Sequence, residues 1–240
     1  MSRHIPFTIP REPSIAGFVL LSYVIGIATS KNIDPIKTVS IGLIYLHLIL
    51  TIDFIFYNPS PRRLKSLYSL VSNTSLFIFF SLMDGYESMV ALLPTTILFV
   101  ATMTSLVTLG RLNPTTLSTG TSMLTFLTLY TSASIGEYTL DSLEATILYT
   151  LYSVASVLYV ESKVGRVDVY IPGAISTALF VGSFLFSPYY PFIFIDLAAK
   201  SITHVIRKEV IDVSDITSLG KKELLRILIH TPLIILASLA

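Results

Sequence analysis

A chain of 240 residues with 52% hydrophobic side chains, 13% charged residues and a mean hydropathy of +0.75 lies far from soluble domains, in which charge is about 25%. Its formal net charge of +1 excludes the basic face that a nucleic-acid partner requires. With no cysteine, a disulfide framework, a thiol nucleophile, a Cys-ligated zinc and an iron–sulfur cluster are all excluded. The composition, which also lacks Trp, resembles that of thermophilic archaeal proteins.

Apolar residues fall into nine stretches of about 17–22 residues, each long enough to cross a bilayer as a helix. The first, Ser14–Ser30, follows a short polar leader without a small-x-small cleavage site and is expected to be an uncleaved span. The second, Ile36–Tyr57, ends at Asn58-Pro59-Ser60-Pro61. Leu67–Met83 and Met89–Leu109 follow, the latter with Pro94 inside it. Asn113-Pro114 opens Thr115–Ile135, where Ser118-Thr119-Gly120-Thr121-Ser122 is suited to close helix approach. Leu143–Val160 and Tyr170–Phe186 come next. Ser187-Pro188-Tyr189-Tyr190-Pro191 is an expected turn into Tyr189–Ile206, and Glu223–Leu239, with Pro232 inside it, is last. The stretches are continuous, not alternating, so helices are expected and a barrel is not.

Charge alternates between the connections. Arg3 and Arg11, then Arg62, Arg63 and Lys65, then Arg111, then Lys163 and Arg166, then Arg207, Lys208, Lys221, Lys222 and Arg226 fall on one side. Lys31 and Lys37 fall on the other, and Lys200 falls within a span. The second side carries Asp84, Glu87, Glu137, Asp141 and Glu144. By the positive-inside rule, the sequence predicts an all-α polytopic protein of the cell membrane. It has nine spans in a single domain over residues 1–240, the N-terminus cytoplasmic and the C-terminus outside.

Ionisable groups inside spans cost about 2.5–3.5 kcal/mol each at a helix centre and mark functional candidates. Asp196, Lys200 and His204 recur at i, i+4 and i+8 and form one helix face, on which Asp196 and Lys200 are expected to neutralise each other. His47 and His230 lie within the second and last spans and would be a b-type haem ligand pair if they faced one another. Asp53, Glu161, Arg166 and Asp168 lie at the expected cytoplasmic rim, where Asp53 and Asp168 are candidate Mg²⁺ ligands. Arg11, Glu12 and Glu223 complete this candidate inner-rim polar site. Gly220 is expected to give a tight approach before the last helix and Glu223 to sit in its first turn, facing the macrodipole.

Two resemblances bear on these residues. Acidic groups after the second and sixth of nine spans, here Asp53-Phe-Ile-Phe-Tyr57-Asn58 and Glu161-Ser-Lys-Val-Gly165-Arg166-Val-Asp168, resemble in placement the motifs of UbiA-type intramembrane prenyltransferases, with fewer carboxylates. That resemblance implies Mg²⁺-assisted binding of an isoprenyl diphosphate. Pro10-Arg11-Glu12, Leu158-Tyr159-Val160-Glu161-Ser162 and Leu219-Gly220-Lys221-Lys222-Glu223 resemble elements of the YwiC-like integral membrane proteins. This second resemblance implies a multi-helix membrane fold and no particular chemistry. The expected function is a non-catalytic multi-pass protein in contact with the lipid bilayer and other membrane subunits, an accessory or assembly subunit of a larger complex such as a respiratory one. The alternatives are a UbiA-like lipid enzyme and a haem-binding subunit.

Overall fold

The computed structural model of the chain describes residues 13–56, 64–211 and 215–240. Within them the chain forms nine helices: α1 (Pro13–Thr29), α2 (Pro35–Phe56), α3 (Leu64–Asp84), α4 (Tyr86–Thr108), α5 (Pro114–Ile135), α6 (Leu140–Lys163), α7 (Tyr170–Ser183), α8 (Pro191–Arg207) and α9 (Ile216–Ser238). α2, α3, α4 and α6 are each long and apolar enough to cross a membrane, and α1 and α7 are shorter apolar helices.

Helix starts are set by local chemistry. Asp34 Oδ1 accepts from the amides of Ile36 and Lys37 at the start of α2. Asn113 caps α5 through the amide of Thr115, with Pro114 at the first position. Thr139 and Ser142 close a reciprocal capping box on α6. α9 starts at Ile216, seven residues before the apolar stretch that announces it, because its first two turns are polar. Glu223 is therefore not in the first turn, and Gly220 lies inside the helix with nothing within 4 Å of where a Cβ would sit. The cap and the tight approach expected of these two residues are both corrected.

α5 is the hub of the first half, packing on α1, α2, α4 and α6, while α6 joins it to α7, α8 and α9. The interior is rich in hydroxyls. Ser22 donates to the Leu124 carbonyl, Tyr45 to the Leu127 carbonyl, and Thr125 meets Thr150 at 2.8 Å. Tyr45, Tyr130, Tyr149 and Tyr152 are fully enclosed. Outward faces are instead apolar, as at Ile97, Val107, Leu185 and Ile206.

Connections meet their like at each end of the bundle. The α1–α2 connection bridges to the α5–α6 connection through Lys31 and Glu137, and Asn32 donates to Glu137 Oε1 at 3.0 Å. Lys37 pairs with Asp84 at the α3–α4 turn of that same end. At the opposite end the Ile211 amide donates to the Lys163 carbonyl, joining the α8–α9 and α6–α7 connections. There too Arg111 and Arg166 line one open hollow of about 700 Å³.

Candidate functional site: an ion-pair network between α6, α8 and α9

α8 presents Lys200 toward α9, and one carboxylate gathers the charge. Glu223 accepts from Lys200 Nζ on Oε2, from Ser156 Oγ of α6 at 2.8 Å on that oxygen, and from Arg226 Nη1 at 2.5 Å on Oε1. The Lys200 and Glu223 side chains are 9% and 5% exposed. Arg226 extends the network to Asp196, with Nε 3.9 Å from Oδ2. Two acids and two bases thus balance across α8 and α9, with α6 beneath them.

Aromatic rings line this network. Lys200 Nζ lies 4.9 Å above the Tyr159 ring, and Tyr159 also meets His204 edge-on at 5.8 Å. His204 is 2% exposed. His230 Nδ1 donates to the Arg226 carbonyl at 2.8 Å and lies 3.3 Å from the Tyr152 hydroxyl, while the two rings stack at 4.9 Å. At 1.5 Å per residue, Lys200 and Glu223 lie about 10 Å from the α8–α9 connection along their helices, and Asp196 and Arg226 about 15 Å.

Asp196 and Lys200, expected to neutralise each other along α8, instead both turn to α9. Glu223 carries the better geometry for Lys200, and Arg226 reaches Asp196. Arg226, counted from sequence among the connecting residues, lies ten residues into α9. Its spacing of three from Glu223 was the available signal. Ser156, Tyr152 and Tyr159 gave no signal, since Ser and Tyr recur throughout the spans.

The other candidates lie elsewhere. Glu161 is paired with Arg166 at 3.0 Å, and Asp168 Oδ1 accepts from the Tyr170 amide at the start of α7. Glu223 is held instead by Lys200, Ser156 and Arg226. Asp53 lies in the last turn of α2, and its side chain, like Arg11 and Glu12, is outside the described residues. Among the described residues no group of three or more His, Asp or Glu side chains is placed to hold a metal ion. His47 Nδ1 donates to Asn73 Oδ1 at 3.1 Å, and Asn73 Nδ2 donates to Thr51 Oγ1 and the Ser69 carbonyl at 2.8 Å. His47 therefore faces α3 and His230 faces α6, on helices that both pack against α1. The two histidines are not brought together.

No protein-family model, curated protein or solved structure matches this chain. The function must therefore be read from the charge network and its surroundings. Both carboxylate oxygens of Glu223 are held by the chain's own donors. The Asp196–Arg226 end is different, because those side chains are 41% and 39% exposed. They sit among outward-facing Phe192, Ile195, Leu225 and Ile229.

Proposed function

We propose that this chain is a non-catalytic multi-pass protein of the cell membrane that works as a subunit of a larger membrane assembly. In this reading all nine helices span the bilayer, with the N-terminus cytosolic and the C-terminus outside. Support comes from the apolar outer faces, the hydroxyl-rich interior and the segregation of the connections to two ends. α5, α8 and α9, rich in Ser, Thr and charged groups, cross with the aid of neighbours that satisfy those groups.

The observation that carries the subunit reading is the half-exposed Asp196–Arg226 pair about 15 Å along both helices. An ion pair facing acyl chains is costly, and membrane proteins turn such groups toward protein or water. A partner surface over this flank removes the cost. Gentle extraction from native membranes followed by blue-native electrophoresis tests the reading. The tagged chain is expected in a discrete species heavier than itself. A strictly monomeric chain in every mild detergent and in nanodiscs contradicts it.

A further inference from the structure

Resting on that membrane reading, we infer that the α8–α9 flank pairs with a second copy of this chain about a two-fold axis along the membrane normal. Asp196 of each copy then faces Arg226 of the other. Three observations fit this occupant. First, the flank carries one negative and one positive group side by side, 3.9 Å apart. A two-fold between them places each charge opposite its complement, as isologous interfaces require. Second, Asp196 and Arg226 lie at the same depth, each about 15 Å from the α8–α9 connection. An axis along the membrane normal preserves depth, so equal depth is a condition of such a pair. Third, the flanking residues repeat with a packing seam's spacing. Phe192, Asp196, Ala199 and Thr203 on α8, and Lys222, Arg226, Ile229 and Leu233 on α9, each fall at i, i+4, i+7 and i+11, and all are partly or fully exposed. This is the spacing with which helices interlock, and Ala199 and Thr203 are small enough for close approach.

Within one copy the Arg226 Nε–Asp196 Oδ2 distance of 3.9 Å is too long for a hydrogen bond, and 41% of the Asp196 side chain stays exposed. A guanidinium from the second copy brings further donors to that carboxylate, and the partner's carboxylate brings acceptors to Arg226. The flank's own charges sum to zero, so a partner of one sign is not favoured over a second copy.

The chain has no cysteine, so a single introduced one cross-links only between molecules. In membrane vesicles, Ala199→Cys treated with a short bismaleimide is expected to give a band at twice the 26.5 kDa chain mass. Asp196→Arg and Arg226→Asp, each made in the Ala199→Cys background, are expected to abolish that band when expressed alone. Each leaves like charges on the flank. Co-expressing the two reversed chains is expected to restore the band as a mixed dimer only, since all four charges are again opposed to complements. A monomer in the Ala199→Cys chain overturns the inference, and so does cross-linking to a protein of different mass. Failure of reversal and co-expression to lose and regain the band also overturns it, with the Ala199→Cys result standing as the check if a reversed chain does not fold. Loss of the self-pair with persistence of the heavier native species defeats only this inference, and loss of both defeats the subunit reading too.

Discussion

Glu223 holds Lys200, Arg226 and Ser156 together, so removing its charge strands the two cations it compensates. Breaking a buried ion pair from one side costs about 3–5 kcal/mol, whereas replacing both partners by apolar groups is often near neutral. Glu223→Ala is therefore expected to lower the thermal midpoint of the detergent-solubilised protein steeply, as followed by the loss of its size-exclusion peak. Lys200→Met combined with Glu223→Met is expected to recover much of that loss, and strict additivity would contradict the coupling. At the His47 cluster the expectation is smaller. Asn73→Leu removes four hydrogen bonds between or within α2 and α3, but such bonds in membranes average about 0.6 kcal/mol. The same melting assay should show a modest drop, and one as large as that of Glu223→Ala would misplace the centre of gravity of the fold. The sequence showed Asp196, Lys200 and His204 as one stripe because helical spacing is written along a chain. It did not show that Lys200 prefers Glu223 to Asp196, since distance between helices 23 residues apart is not.

Single helices carry the next level of constraint. α1 and α5 approach so closely at Gly26 that a Cβ there would meet Thr131 Cβ at 2.5 Å and the Thr128 carbonyl at 2.8 Å. Neither can yield cheaply, one being branched and the other backbone. Gly26→Val should cost about 1–3 kcal/mol through overpacking, read as a lower midpoint. Gly182→Ala, where nothing lies within 4 Å of the added carbon, should leave it nearly unchanged. Equal effects at the two sites would contradict the close α1–α5 contact. Boundaries were legible wherever apolar content and helix coincide, as at Thr115–Ile135 against Pro114–Ile135. They failed at α9, whose first seven residues, Ile216–Lys222, are helical but mostly polar. Hydropathy marks what lipid tolerates, and a helix extends past that. This displaced start is also why Arg226 was read as a rim charge and Glu223 as a cap.

At the scale of the whole molecule, the apolar exterior and hydroxyl-rich interior invert the pattern of soluble proteins, which rarely expose large contiguous apolar surfaces. The inner-rim acids, by contrast, looked like one site in sequence because connections on one side of a membrane are neighbours only in topology. Glu161 and Asp168 instead satisfy Arg166 and the start of α7. Adding Mg²⁺ with an isoprenyl diphosphate is accordingly expected to leave the melting midpoint unchanged. A rise that Asp168→Ala abolishes would support the lipid-enzyme reading instead. The central claim is that a balanced charge network lies inside a bundle of alternating membrane-spanning helices. Labelling single-cysteine variants in sealed, oriented vesicles with a membrane-impermeant maleimide tests it most directly. Glu137→Cys should react from outside, Asp168→Cys only after permeabilisation, and Leu225→Cys, beside the network, in neither condition. Reaction of Glu137→Cys and Asp168→Cys from the same side, or ready labelling of Leu225→Cys, would contradict it.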